Sequence, residues 1–458
     1  MEPSIGSLEG KRVTVMGLGR FGGGLGAALW LARQGADVLV TDTATEEKLA
    51  GAMEALAPHI KAGRITTRLG EHNVSDFTTA DLVVANPAVP MPWENRFLRA
   101  AEAAGVAVTT EIALALERIP AGCRLIATTG TAGKSTTSAL VHHVLSACGV
   151  DSVLGGNLGG SLLEALSSGR VTPSTTLVIE LSSFMLYWIG RVGAPCAPDA
   201  AIVTNINANH IDWHQTLAHY TQSKQVLLAQ QHPGTTAILG SVVRHWPLRD
   251  GVARVVIDDQ SPRIEGLSIP GLHNELNAAA AIAAVRAVHP HITEIQALDA
   301  ARTFKGLPHR LEFVTIARGV RCYNDSKSTT PDATLLAVEA FAEAPGRNHV
   351  HLIAGGADKG SDLTPIANLA PHLAGLYTVG ATGPTINAAA QGRAIPCVTI
   401  DAAIERAFAR SSPGDILLLS PGCASWDQFT NYEARGRRFT EHVQAPFKEN
   451  LQPPADAR

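Results

Sequence analysis

The chain has 458 residues, room for about three domains of ordinary size. Charged residues make up 17% and hydrophobic residues 45%, which excludes extended disorder and coiled coil and leaves a compact globular class. The formal net charge of -4, with no run of Lys or Arg, argues against a nucleic-acid footprint or a polybasic membrane patch, so any phosphate-bearing ligand must be held locally.

In chain order, residues 13–16 read as a short β-run, followed by a helix near 24–34, a strand at 37–41, a helix near 45–61 and a strand at 82–84. This alternation predicts parallel strands joined by crossover helices. A second α/β series begins with a strand at 125–128, continues with a helix after Lys134, and adds strands at 176–179 and 201–204. Residues 271–288, rich in Ala, Asn and Val, predict a tightly packed helix. The Gly and Pro of 304–308 mark a linker. Strands near 350–353, 376–379 and 416–419 follow. The expectation is an α/β protein of three domains: an N-terminal Rossmann-like domain over 1–110, a central P-loop ATPase-type α/β domain over 111–306, and a C-terminal Rossmann-like domain over 307–458. Six cysteines stand without a CxxC or a short-spaced cluster, which predicts reduced thiols and no zinc site. The N-terminus lacks the basic region and apolar core of a signal peptide, and no stretch approaches the ~20 apolar residues of a membrane span. A cytoplasmic protein without membrane or nucleic-acid partners is expected.

Two glycine loops carry the strongest chemistry. Gly17-Leu18-Gly19-Arg20-Phe21-Gly22 follows a strand and opens a helix, and Asp42 lies about 20 residues further on at the end of the next strand. Such a loop lets the backbone approach a pyrophosphate, while the acid takes a ribose hydroxyl. The plain alternative is a tight turn, and the motif does not say which nucleotide. The second loop, GTAGKST at 130–136, lies between a strand and a helix. Its N–H groups can cradle phosphates, Lys134 can neutralise β/γ oxygens, and Ser135 can ligate Mg²⁺. A simple dehydrogenase needs the first loop and has no use for the second.

With both loops in place, the chain resembles the Mur ligase family along nearly its whole length. The motifs run in family order: GLGRFG with Asp42, GTAGKST, GGNLG at 155–159, ELSSF at 180–184, NINANHID at 205–212, Tyr220 to Lys224, GLHN at 271–274 with Asn277, GLPHR at 306–310, NDSKST at 324–329, GGADKG at 355–360, and 420–436. The resemblance implies an ATP-dependent ligase that joins D-glutamate to UDP-N-acetylmuramoyl-L-alanine through an acyl phosphate, acting as a monomer. It assigns Gly17, Gly19, Arg20, Phe21, Gly22, Asp42, Thr43, Asn86 and Asn157 to the UDP-sugar. To ATP it assigns Gly130, Thr131, Gly133, Lys134, Ser135, Thr136, Asn277, Arg310 and Asp325. Two Mg²⁺ ions are implied, held by Ser135, Glu180, His210 and a Lys224 carbamylated by CO₂. Lys134, His210, Lys224 and Arg310 become the catalytic set, and Lys327, Thr329, Lys359, Ser425 and Tyr432 the amino-acid site. On local context alone, Glu180 reads as a solvated carboxylate, Lys224 as a helix-surface lysine and Arg310 as a linker charge. The base that deprotonates the incoming amine is not assigned, with His210 a candidate.

The chain departs from the family pattern at Ala132 in the phosphate loop, at Arg20-Phe21, and at 86–90, where Asn-Pro-Ala-Val-Pro replaces a Ser-Pro-Gly type of loop. Rival readings are a related ligase adding L-glutamate or resembling folylpolyglutamate synthase, a dinucleotide-dependent oxidoreductase, and a nucleotide-binding protein that has lost catalysis. Intact Lys134, Glu180, His210 and Lys224 argue against the last.

Overall fold

A computed structural model describes residues 6–19, 23–358 and 360–445, and its strands form three sheets. The first, all parallel, runs in spatial order Ile65–Leu69, Asp37–Asp42, Arg12–Met16, Leu82–Ala85, Ala107–Thr109. The second, also parallel, runs Ala253–Ile257, Thr236–Gly240, Ala200–Val203, Arg124–Thr129, Thr176–Glu180, Ser152–Gly156. The third runs Glu312–Ala317, Val320–Asn324, Ile416–Leu419, Val350–Gly355, Gly375–Val379, Ile395–Val398, parallel except for the first strand, which pairs antiparallel with the second.

The central strands are continuous apolar runs because helices cover both faces of a parallel sheet. Thr176–Glu180 (TLVIE) and Ile416–Leu419 (ILLL) are buried at every position. The expected elements are present, most with ends shifted by a residue or two. The helix expected from 45 divides into a 3-10 turn, Glu46–Leu49, and an α-helix, Ala50–Lys61. The antiparallel hairpin Glu312–Asn324 is an addition to the sequence reading. All six cysteines are free, and no helix among the described residues is long and apolar enough to cross a membrane.

The described residues divide into two compact units. One comprises those up to Ile264 together with Leu276–Ala301; the other comprises Glu265–Glu275 and those from Arg302 onward. The first unit holds the first two sheets, because one hydrophobic cluster runs from Val13 and Leu31 through Leu114 to Ile179 and Leu239. Trp213 reinforces this junction by donating its indole N–H to the carbonyl of Val89 (2.8 Å). The helix Leu272–Val288 changes unit after its first turn.

In the first two sheets the strand order reverses, between Arg12–Met16 and Leu82–Ala85 and between Arg124–Thr129 and Ala200–Val203, and there the loops leaving the two neighbouring strands diverge and open a crevice at the carboxyl ends. Gly17 and Asn86 follow the two strands that flank that point in the first sheet. Gly130 and Thr204 follow the two strands that flank it in the second, with Glu180 at the end of the strand on the other side of Arg124–Thr129, and Asp325 and Ser420 lie at the carboxyl ends of two adjacent central strands of the third.

Candidate functional site

At the first crevice, Asp42 pins the glycine loop: its Oδ2 accepts the N–H of Leu18 (2.9 Å) and its Oδ1 that of Ala44 (2.8 Å). Asn86 packs directly on Gly19, leaving no space for a Cβ there, and Gly19 has φ +70°, so glycine is required for two independent reasons. Thr43 is exposed beside this loop. Arg20, Phe21, Gly22 and Lys359 lie outside the described residues. A cavity of about 320 Å³ is lined by Gly19, Asn86, Glu111, Asn157, Ser161 and Phe184, which brings three of the expected UDP-sugar residues together. Glu111 was not among the sequence candidates. It is buried (7% exposed), and its Oε1 accepts from Ser161 Oγ (2.7 Å) and the Leu163 N–H (3.4 Å). Burial raises its pKa above the ordinary carboxylate value.

The second glycine loop joins the strand Arg124–Thr129 to the helix Lys134–Ala147. Lys134 Nζ donates to the Thr131 carbonyl (2.9 Å), and Thr131 Oγ1 lies 2.9 Å from the Tyr220 hydroxyl. The backbone N–H of Ala132 donates to Asn205 Oδ1 (2.9 Å), so at the position where the chain departs from the family the loop engages a partner through backbone. Asn277, from the helix Leu272–Val288, is buried against the loop; its Oδ1 accepts from Thr137 Oγ1 (3.2 Å), and a Cβ on Gly133 would stand 2.6 Å from it.

Beside this loop, Glu180 is completely buried at the end of its strand. Its Oε1 accepts from Asn157 Nδ2 (2.8 Å), whereas Oε2 has no hydrogen-bond partner among the described residues. A buried carboxylate oxygen without a partner is costly, and a hard cation is what such an oxygen satisfies. The surface reading of Glu180 is therefore corrected, and the donor chemistry fits Mg²⁺.

Lys224 is likewise no surface lysine: it is 1% exposed. On the helix Leu217–Ala229 the buried residues Tyr220, Ser223, Lys224, Leu227 and Leu228 form one stripe, and Lys224 lies in its middle. Its Nζ donates to the Gly130 carbonyl (2.7 Å) and to Thr129 Oγ1 (3.2 Å). Burial, helped by the nearby charge of Lys134 and opposed by Glu180, depresses its pKa to about 6. The amine is then largely neutral at pH 7, the form that attacks CO₂.

His210 is exposed, has φ +52°, and stands edge-on to Phe184 (centroids 4.8 Å apart). Desolvation by its surroundings lowers its pKa. Neighbouring His214 is buried, with a pKa lowered chiefly by burial to about 3, and Nε2 2.9 Å from Ser183 Oγ. It is a neutral scaffold residue. Among the described residues no three His, Cys, Asp or Glu side chains converge as a ready metal centre.

In the second unit, Arg310 is exposed on a turn closed by its own N–H to the Leu307 carbonyl (3.0 Å). Asp325 is buried. Its Oδ1 accepts the Leu311 N–H (3.1 Å) and its Oδ2 accepts from Ser420 Oγ (2.8 Å) and Ser328 Oγ. Desolvation raises its pKa to about 6. Lys327 Nζ stands 5.7 Å from the Tyr432 ring centroid, with half-buried Thr329 further along the same segment; Ser425 is buried in the loop after Ile416–Leu419.

Arg435 falls within the 420–436 motif, but the sequence assigned it no role. It is 2% exposed and donates to the carbonyls of Ser326 (2.9 Å), Cys423 (3.0 Å) and Ala424 (3.0 Å), fastening the Lys327 segment to the Ser425 loop. The available signal was its place among Gly436, Phe439 and Val443 on the buried face of the helix Tyr432–Gln444.

Three family descriptions match the chain: "Mur ligase MurD-like, N-terminal domain" over 11–110, "Mur ligase middle domain" over 128–244, and "Mur ligase, glutamate ligase domain" over 309–423. A UDP-N-acetylmuramoylalanine–D-glutamate ligase of Anaeromyxobacter dehalogenans is 37% identical, covering 94% of this chain and 97% of its own. A ligase of the same name from Koribacter versatilis is 34% identical over 95% and 98%. Among solved structures, a UDP-N-acetylmuramate-alanine ligase from Thermotoga maritima shares the fold with a TM-score of 0.56 at 18% identity, covering 95% of this chain and 99% of its own. A MurF ligase of the same organism in complex with ADP does so at 0.54 and 14%, covering 97% and 96%. The chain belongs to the Mur ligase family, on the branch of the UDP-N-acetylmuramoylalanine–D-glutamate ligases.

Proposed function

We propose that this protein is an ADP-forming ligase that adds D-glutamate to UDP-N-acetylmuramoyl-L-alanine, a cytoplasmic step of peptidoglycan precursor synthesis and hence of cell-wall growth, cell shape and division, carried out by a monomer. The observation that carries the reading is Lys224, a buried amine pushed to neutrality directly beneath a phosphate loop and near a buried carboxylate with one unsatisfied oxygen. A dinucleotide oxidoreductase has no use for that arrangement, and the near-full-length relatives favour the D-glutamate ligase over a folylpolyglutamate synthase-like one.

In this reading residues 1–110 hold the UDP-sugar, 111–306 ATP and metal, and 307–458 the amino acid. The substrate carboxylate attacks the γ-phosphorus of ATP, the bond to ADP breaks, and an acyl phosphate results. The amine of D-glutamate then attacks the acyl carbon, phosphate leaves, and the amine proton passes to a base, for which His210 is the candidate. Phosphoryl transfer is chiefly positioning and charge neutralisation. Lys134 supplies a cation held at the loop, and Arg310 is assigned to the ATP phosphates. Asp42 and Asn86 hold the first glycine loop in shape, and Asn157 orients Glu180. Ser135, Glu180, His210 and carbamylated Lys224 would hold two Mg²⁺ ions, which when bound neutralise charge on the phosphate oxygens. Lys327, Thr329, Lys359, Ser425 and Tyr432 give a two-carboxylate substrate cationic and hydroxyl partners.

The test is phosphate release from ATP with UDP-N-acetylmuramoyl-L-alanine and either D-glutamate, L-glutamate or no amino acid. Release that depends on D-glutamate supports the reading; release only with L-glutamate or a folate acceptor, or nicotinamide reduction without ATP, overturns it.

A further inference from the structure

We infer that His309 is a positioning residue that locks the turn carrying Arg310 to the segment carrying Lys327 and to the helix carrying Tyr432. The inference rests on the functional reading above, which gives Arg310 to ATP and Lys327 and Tyr432 to the amino acid.

The turn is built from left-handed backbone: Gly306 has φ +98°, His309 +62° and Leu311 +43°. Residues other than glycine rarely adopt this region, so the turn persists only where its surroundings fix it. Four contacts do so. The His309 N–H donates to Glu312 Oε2 (2.9 Å), and the His309 carbonyl accepts the Lys327 N–H (2.9 Å). Asn324 Nδ2 donates to His309 Nδ1 (2.9 Å), and the Leu311 N–H donates to Asp325 Oδ1 (3.1 Å).

Asn324 is a firm anchor. It is completely buried, its Oδ1 accepts the Ser326 N–H (3.2 Å), and its Nδ2 also points at the carbonyl of Gly436 (3.3 Å), at Glu312 Oε2 (3.2 Å) and at Thr440 Oγ1 (3.4 Å). An amide nitrogen has only hydrogens to offer, so in this contact His309 Nδ1 takes the accepting role. That ring meets Tyr432 edge-on (centroids 5.9 Å apart) and fills the space over Gly436, where a Cβ would run into Nδ1 and Cε1. One imidazole therefore touches the buried asparagine beside Asp325, the C-terminal helix and the Tyr432 ring, while its own backbone holds Lys327. Arg310 is the next residue. If the ring is what registers Arg310 against Lys327, removing it should misplace the reacting groups while leaving the fold intact.

Glycine at 309 accepts the left-handed backbone but loses the ring; asparagine also tolerates that backbone and offers an amide oxygen to Asn324. In the D-glutamate-dependent phosphate-release assay, His309→Gly is expected to lower kcat about 10-fold or more and to raise KM for D-glutamate, with far-UV circular dichroism unchanged. His309→Asn should recover most of the loss. Gly436→Ala, which displaces the ring from the other side, should resemble His309→Gly, and the double variant should be no worse than either. His309→Gly with wild-type kcat and KM, His309→Asn no better than His309→Gly, or fully additive losses in the double variant would each overturn the inference. A wild type that releases no phosphate with D-glutamate would instead sink the functional reading.

Discussion

The buried amine of Lys224 makes a quantitative demand on stability. In the unfolded chain a lysine titrates near 10.4; in the folded chain Lys224 titrates at about 6. The unfolded state therefore binds more protons between these values, and stability rises with pH by about 1.4 kcal/mol per unit across that window. At pH 7.5, three units below the unfolded pKa, keeping the amine neutral costs about 4 kcal/mol. Lys224→Met conserves volume and removes that cost, while leaving the Gly130 carbonyl without its donor, a loss of about 1–2 kcal/mol. The variant should thus be more stable than the wild type by about 2–3 kcal/mol at pH 7.5, with the difference vanishing near pH 9.5. Urea unfolding followed by tryptophan fluorescence measures this, because five of the six tryptophans belong to the first unit. The titrations should be run in CO₂-free buffer, since a carbamate on the amine would add its own stabilisation. Under ¹³C-bicarbonate the wild type should then show a carbamate resonance that the variant lacks, and phosphate release should fall to background in the variant. A stability difference that stays flat between pH 7 and 9.5 would refute the argument, because a solvated or charged lysine has no such slope.

Lys134→Ala is expected to cut phosphate release at least 100-fold with little change in circular dichroism, since it removes the cation held at the phosphate loop while the strand and helix on either side keep their backbone bonds. A near-normal rate would remove the loop from the active site. Glu111→Ala should cost about 2–3 kcal/mol in urea by stranding Ser161 Oγ and the Leu163 N–H, whereas Glu111→Gln keeps the accepting oxygen and should be near neutral; equal losses would show that the hydrogen bonds are not what matters. Asp325 has a folded pKa of about 6, above its ordinary value of 3.8, so its folded form binds more protons and wild-type stability should fall as pH rises through that window. Asp325→Asn should abolish this fall, worth up to about 3 kcal/mol at pH 7, in unfolding titrations from pH 4 to 7.

What the sequence discloses depends on how local the physics is. The two glycine loops were legible because strand, turn and helix lie consecutively, and the chemistry of a phosphate cradle is carried by backbone within about eight residues. Helix Leu272–Val288 was legible from composition. Lys224 was half-legible: the spacing Tyr220, Ser223, Lys224, Leu227, Leu228 places it on the buried stripe, but a lysine there reads as solvent-facing until its partners, the carbonyl of Gly130 and Thr129 Oγ1, are known, and they lie about 95 residues upstream. The role of Arg435 was hidden for a similar reason, since the Ser326 carbonyl that helps justify its burial lies 109 residues upstream, beside the nearer carbonyls of Cys423 and Ala424. The hairpin Glu312–Asn324 was missed because its turn is Arg318-Gly319, both left-handed, in place of the Asn-Gly pair that announces such turns.

These residues share a pattern. Glu180, Lys224, Asp325 and Arg435 are ionisable groups at most 4% exposed, and each supports or forms part of a site at the carboxyl end of a sheet. Lys224 and Arg435 are depressed toward neutrality, to about 6 and about 10, and Asp325 is raised to about 6, so each of the three is held against the desolvation of its charged form. Packing alone would select apolar residues of similar volume at such positions. Three of them are used by the fold to tie down loops that carry candidate site residues: Lys224 donates to the Gly130 carbonyl, Asp325 accepts the Leu311 N–H, and Arg435 donates to the Ser326 and Cys423 carbonyls. The same burial that makes Lys224 a stability liability makes its amine available to CO₂, so substitutions that firm up these positions are expected to be the ones that silence the enzyme.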